Sequence, residues 1–406
     1  MLVLLAMNYP GARVISIASR VVVAGACCFG IWCSGKLARA DYLFRQDTEE
    51  SIRAAIRVEP DAWRYYMRLS QFDDAHAEQL LERSLQLNPY NAPADIELGL
   101  YVESIGDYGR AEKLMHDAFA IDHTFATRWA LANFYFRRDN EPAFWAWARS
   151  AARMPSDSAG ALFELCWRES PDPKKISSVV LNDNPKLIRQ YIEFLFAKDQ
   201  LAAAATTAQQ LIRDGDPVTD TPQLLTAVNR LVAANNGIPA LELWRALIAQ
   251  QWIKADSSVI NNPNFGRDPL PVSFDWALAA YDGLHSWTGP IGLESEFTGR
   301  QPEGCTVAQQ SVVLAPGKYS LQYSYRTSEI SPGTGLRWQV IDAASNKPLA
   351  ESPDLSSDSL QNAALTFSVP QGVSLLHIRL AYQRALGTTR ISGKLVVPSV
   401  QIQSSL

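Results

Sequence analysis

Glu294 and Glu296, in the stretch LESEF, come closest to a catalytic pair in this 406-residue chain. Glycoside hydrolysis needs two carboxyls on opposite sides of a cleft. Two residues apart on an alternating segment, these two share one face instead. The histidines are His76, His116, His123, His285 and His377. Only His116 and His123 come near metal-ligand spacing, and no CxxC pair is present, so no zinc site is expected. Asp275 can offer calcium a carboxylate beside loop carbonyls, but one carboxylate is no calcium signature. There is no G-x-S-x-G elbow, phosphate loop or dinucleotide fingerprint, and the glycines of GTGLRW open a strand pattern rather than a helix. The sequence implies no catalytic set, no metal and no cofactor.

Binding chemistry is better represented. Sugars stack their apolar ring faces on flat aromatics while polar side chains fix the hydroxyls. Three tryptophans near the C-terminal end, Trp276, Trp287 and Trp338, are the candidates. Trp287, in GLHSWTGP, reads as a loop residue and is the best placed. Trp276 and Trp338 lie in strand patterns, where core packing competes with a ligand role. A formal net charge of −5 argues against a nucleic-acid partner, whose binding calls for a basic face, so none is expected. The cysteine count is odd: Cys27, Cys28 and Cys33 lie in an apolar run, while Cys166 and Cys305 sit in segments of different character, so a disulfide between them is not expected.

The elements that carry these residues change type along the chain. Residues 14–33 form the membrane candidate, with Val21 to Cys33 free of charge. Thirteen helical residues span about 20 Å, short of a hydrocarbon core of about 30 Å. Extension back to Val14 supplies the length, with Arg20 near one end and Lys36 beyond the other, where both can snorkel. One reading is an uncleaved anchor with Arg13 and Arg20 on the cytoplasmic side. The other is a signal peptide cleaved after the A-x-A triplet ending at Ala40, giving a secreted chain. Both export the bulk of the protein. A lipobox at AGAC, ending in Cys27, is disfavoured because the apolar run continues past it. Met7 offers a second start.

Between residues 41 and 255, apolar residues recur at helical spacing. Leu98 and Gly99, then Gly106, Tyr108, Ala111 and Ala118, set large and small residues in a fixed order, and 34 residues on Trp129, Phe136 and Ala146 repeat part of it. Pro60 and Pro89 punctuate earlier hairpins. This resembles the tetratricopeptide repeat (TPR), over about residues 41–155, with one well-matched repeat and three degenerate ones; His123 stands where the usual proline would be. Stacked hairpins of this kind bury together what none buries alone, and leave a groove suited to a protein partner. In that family Glu103, Phe134, Arg137 and Arg138 would face the groove. Farther on, Thr221-Pro222 reads as a helix start and Asn236-Gly237 as a stop.

After NNPNFGRDPLP (261–271), which has the composition of a linker or lead-in loop, the pattern changes to period two. In KYSLQYSYR, Tyr319, Leu321, Tyr323 and Tyr325 share one face. About eight such strands with turn-rich joins predict an antiparallel β-sandwich of jelly-roll type. The order FDW, PGKYSL, GLRWQV, FSVP and SGKLVVPSVQI resembles the galactose-binding-like and carbohydrate-binding-module sandwiches, over roughly residues 256–406. That resemblance implies an exterior placement and contact with polysaccharide. The expected fold class is multidomain α + β, a TPR-like α-solenoid followed by an antiparallel β-sandwich. The expected domains are a signal anchor or signal peptide (1–40), a helical repeat domain (41–255) and a sandwich (256–406). The expected function is a non-enzymatic exported scaffold in cell-envelope or exopolysaccharide assembly, with glycan binding by the sandwich as the alternative.

Overall fold

The computed structural model describes residues 10–154, 159–181 and 183–405, with side chains from residue 20 onward; Met7 lies outside the described residues. The chain has a TPR-like array of helices followed by an antiparallel β-sandwich. Its contacts divide into two compact units, 1–157 and 158–406.

The first unit begins with one long helix, α1 (Pro10–Phe44). Its exposed portion carries Val21, Val22, Val23, Phe29, Ile31 and Trp32, each more than 60% exposed. The C-terminal turns of α1 belong to the fold: Ala40 is fully buried with Ile52, Ala55, Tyr65 and Leu69, and Leu43 and Phe44 pack against them. Helices α2 (Glu49–Val58), α3 (Trp63–Leu69) and α4 (Ala77–Leu87) follow. Thr48 caps α2, its hydroxyl accepting from the Ser51 backbone N–H at 3.2 Å. Then come the paired helices α5 (Ala92–Ser104) with α6 (Tyr108–Ile121), and α7 (Phe125–Arg137) with α8 (Glu141–Ala152). Gly99 permits the close crossing expected of it, since a Cβ there would lie 3.0 Å from the Met115 methyl. Leu98, Ala111, Ala118, Leu131 and Ala132 are buried in this packing. Ala146 is exposed, and its buried neighbours Trp145 and Ala148 make the α8 contact.

The second unit opens with α9 (Gly160–Glu169), a four-residue helix α10 (Pro173–Ile176) that runs into a π turn (Ser177–Leu181), and α11 (Pro185–Ala197). Three longer helices complete the set: α12 (Leu201–Asp214), α13 (Pro217–Ala233) and α14 (Gly237–Ala249). Two expected helix ends move. Asp216, not Thr221, caps α13 by accepting from the Thr219 N–H at 2.8 Å, and Pro222 falls inside the helix. Gly237 does not end α13 but starts α14, while Asn235 takes the left-handed turn conformation (φ 57°).

Among the described residues of this unit, ten strands form two five-stranded antiparallel sheets. The first has the order β1 (Ala277–Leu278), β4 (Gly304–Val313), β9 (Leu375–Gln383), β6 (Leu336–Asp342), β7 (Lys347–Glu351). The second has β2 (Leu284–Gly289), β3 (Gly292–Thr298), β10 (Ser392–Ser404), β5 (Gly317–Ser328), β8 (Gln361–Val369). Leu321, Trp338, Leu376, Ile378, Leu380, Leu395 and Val397 fill the space between them. The lead-in segment is built into this core. Asn261 donates its N–H to Gln310 at 2.8 Å and accepts from the Gln310 amide at 2.9 Å, and the Trp276 indole donates to the Asn262 carbonyl at 3.1 Å. Phe265, Phe274, Asp275 and Trp276 are all buried. What composition marks as a linker is thus a clasp, held by the Asn261–Gln310 and Trp276–Asn262 hydrogen bonds and by its buried aromatics.

Candidate functional site

The outer face of the first sheet is occupied at its Val313–Leu375 end. A Cβ added to Gly237 of α14 would lie 3.0 Å from the Leu375 Cβ and 3.2 Å from a Val313 methyl. The Trp244 and Phe274 rings pack with centroids 6.2 Å apart. The Asn229 side chain of α13 accepts from the Ser273 N–H at 2.7 Å and donates to the Pro271 carbonyl at 3.0 Å.

The outer face of the second sheet carries the polar residues. Alternation sends Leu293, Ser295 and Phe297 inward from β3, so Glu294 and Glu296 face outward. Register then aligns a row across four strands: Trp287 opposite Glu294, Glu294 opposite Val396, and Val396 opposite Arg326. A second row runs His285, Glu296, Lys394, Ser328. His285 and Trp287 present their rings side by side, 5.2 Å apart, on the edge strand. Past a bulge in β10 between Val396 and Ser399, the face continues as hydroxyls and amides. Ser399 and Ser324 are hydrogen-bonded at 2.9 Å, and the Gln401 amide donates to Gln322 at 2.9 Å.

Two concavities lie on this face. One, of about 960 Å³, is lined by Glu294, Arg326, Ser328, Ser331, Ser357 and Lys394 among others. The other, of about 380 Å³, includes Gln322, Ser324, Asn362, Ser399 and Gln401. Arg326 makes no ion pair among the described residues, whereas Lys394 reaches Glu296 at 3.8 Å. From Lys394 to Gln403 the face extends about 30 Å along β10, the length of several sugar rings.

The other tryptophan candidates belong elsewhere. Trp276 and Trp338 are buried, with ring centroids 6.1 Å apart in the core. Trp287 is not in a loop but on the edge strand β2, half-buried, with the His285 ring beside it. Asp275 is fully buried and engaged by Arg267 at 2.6 Å, which leaves it no calcium role.

In the helical repeats two of the expected groove residues, Glu103 and Arg137, engage each other. The Arg137 guanidinium holds Glu103 through two bonds of 2.8 and 2.6 Å, and the Arg138 guanidinium lies 3.6 Å over the Tyr108 ring. Phe134 is only 2% exposed. Leu100, one turn before Glu103 on α5, is 45% exposed, a position that the repeat pattern does not single out. His116 lies 3.0 Å from the Tyr135 hydroxyl, and His123 packs on Phe119, so neither is poised for a metal. Among the described residues no cluster of His, Cys, Asp and Glu can hold a metal ion. All five cysteines are free, and burial raises the Cys166 and Cys305 thiols to about 12 and about 11.

No protein-family model matches the chain, and no curated protein matches it. Solved structures similar to parts of it include the C-terminal part of a TPR repeat-containing protein from Cytophaga hutchinsonii. That match has 16% identity and a TM-score of 0.30, and covers 54% of this chain and 96% of the other. The N-terminal cellulose-binding domain of Cellulomonas fimi β-1,4-glucanase C aligns at 17% identity and TM-score 0.26, over 37% of this chain and 99% of its own. A CBM4 structure aligns at 14% identity and TM-score 0.29, over 36% and 99%.

Proposed function

We propose that the protein is a non-enzymatic, membrane-tethered binding protein, exported with its bulk outside the cytoplasm, whose sandwich recognises polysaccharide on the outer face of the second sheet. The functional division is an anchor at 1–40, a helical repeat scaffold at 41–255 and a glycan-binding sandwich at 256–406. Cell-envelope or exopolysaccharide assembly is the setting in which such a division is useful. The observation that carries the reading is the Trp287–Glu294–Val396–Arg326 row. It sets an aromatic at one edge of a face that also carries charged groups, hydroxyls and amides, with Val396 in the row between Glu294 and Arg326.

Polysaccharide binding by the full-length protein, measured by affinity electrophoresis across neutral and acidic polymers, tests it. Loss of one aromatic platform worth about 1.4 kcal/mol weakens binding about tenfold. Trp287→Ala is expected to show that loss, and Arg326→Ala a further one, with melting unchanged for both. Undiminished binding in the two variants, or no binding by the parent to any polymer, removes the reading.

A second reading, protein binding by the helices, is favoured by exposed apolar residues on α5 and its following turn: Leu100, and Ile105 at 61% exposure. The ion-paired Glu103 and Arg137 then act as a rim rather than as free contacts.

A further inference from the structure

The transition from the apolar part of α1 to the folded part of the first unit contains no linker. Cys33 ends the apolar run, and Ala40, seven residues later on the same helix, is already a fully buried core residue. Seven helical residues rise about 10 Å, and each polar zone of a bilayer is about 5–8 Å thick. If 14–33 span the membrane, the near edge of the first unit stands at the lipid headgroups.

The side chains at that edge suit the position. A groove of about 520 Å³ is lined by Leu37, Ala38, Asp41, Glu59, Ala62, Trp63 and Arg64. Leu37 is 50% exposed and Trp63 36% exposed, and Leu37 lies one turn above Cys33. Tyr42, on the same helix, is 68% exposed. Tryptophan and tyrosine are the residues that settle at headgroup level, with an apolar body and a polar atom. Arg64 lies over the Phe44 and Tyr65 rings at 5.9 and 5.1 Å, so the rim is stiff.

We infer that the Leu37–Trp63 rim is a lipid-contact surface: it seats on the phospholipid layer and holds the first helical hairpin against the membrane. The inference rests on the proposed membrane anchor. Its occupant is a lipid surface rather than a protein segment, because α1 itself delivers the rim to that height.

The test uses the full-length protein reconstituted in phosphatidylcholine vesicles, with bromines placed either shallow or deep on the acyl chains. Tryptophan emission is compared between the parent and Trp63→Phe, and between the parent and Trp32→Phe. The Trp63 share is expected to be lost with shallow bromines, and the Trp32 share with deep ones. Quenching of Trp32 without quenching of Trp63 overturns the lipid contact and leaves the anchor standing. Quenching of neither overturns the anchor, and the lipid contact with it. Trp63→Tyr, which keeps an interfacial aromatic, replaces Trp63→Phe if the latter does not fold.

Discussion

Replacing Asp275 with alanine should unfold the sandwich far more readily, and the size of the effect can be worked from its partners. Asp275 is fully buried, and one carboxylate oxygen accepts from the Arg267 guanidinium at 2.6 Å and from the Leu270 N–H at 2.9 Å. The other accepts from the Trp276 N–H at 2.8 Å. Truncation leaves a guanidinium and two backbone donors without their acceptor. Breaking a buried ion pair from one side costs about 3–5 kcal/mol. The Arg267 side chain is 28% exposed, so water can reach it, which places the cost toward the lower end. For a unit of this size, about 3 kcal/mol corresponds to a fall in Tm of about 6–12 °C. The assay is the thermal transition followed by near-UV circular dichroism, to which the buried Trp276–Trp338 pair contributes. Asp275→Asn, which keeps an acceptor but loses the charge, should fall by about half as much. Calcium or a chelator should leave the parent transition where it is. An Asp275→Ala protein that melts within about 2 °C of the parent refutes the clasp, and so does a calcium-dependent rise.

Three other perturbations follow from the same reasoning. Asp95, buried on α5 and repelled by Asp117, has its pKa raised to about 6, burial being the larger cause. The folded state therefore holds this proton more tightly than the unfolded one, and the stability it contributes below about pH 4 is lost as pH rises through 6. Asp95→Asn should stabilise the protein by about 2 kcal/mol at pH 7 and have no such advantage at pH 4; chemical denaturation at the two pH values reads it. Asp220 of α13 is fully buried, paired with Arg189 of α11 and accepting from the Asp216 N–H at 2.8 Å, so Asp220→Ala should cost about 3–5 kcal/mol. A double-mutant cycle with Arg189→Met should show strong coupling in denaturant titrations. Gly237→Val should cost about 1–3 kcal/mol by overpacking against Leu375 and Val313, and open the 250–256 segment to limited proteolysis.

Much of the architecture was legible because each half repeats one period. Apolar spacing of three and four marked the helices, and Tyr319, Leu321, Tyr323 and Tyr325 marked a half-buried strand. The errors share a cause, which is that a local signal was answered by a distant partner. GLHSWTGP reads as a loop because its inward positions after Leu284 are Ser286 and Thr288; the strand exists because β3 pairs with it, and Ser286 meets Ser295 at 2.9 Å. NNPNFGRDPLP has turn composition, yet Gln310, far along the chain, supplies the hydrogen bonds that bury Asn261. Asn236-Gly237 reads as a stop, but glycine is needed there for the approach of Leu375. For the candidate site, the sequence pointed to Trp287 but could not join it to Arg326 without the strand register.

The outer face of the second sheet combines a half-buried aromatic, a guanidinium without an ion pair among the described residues, and two concavities. A sandwich has two outer faces. At its Val313–Leu375 end the first sheet packs on α14, and Asn229 fastens α13 to Ser273 and Pro271. In the helical repeats Glu103 pairs with Arg137, and Arg110 with Glu78 and Glu82, while Arg138 lies over the Tyr108 ring. On the second sheet, Arg326 makes no ion pair among the described residues and stands in the larger concavity beside Lys394 and Glu294. Trp287 is half-buried on the edge strand, and Arg326 lies three strands away along the same row, exposed to solvent. A sugar polymer laid across the row would cover the indole and hydrogen-bond the guanidinium together. Binding should therefore fall on loss of either Trp287 or Arg326, and the two single losses should add in the double variant, because three inter-strand steps, about 14 Å, separate the positions.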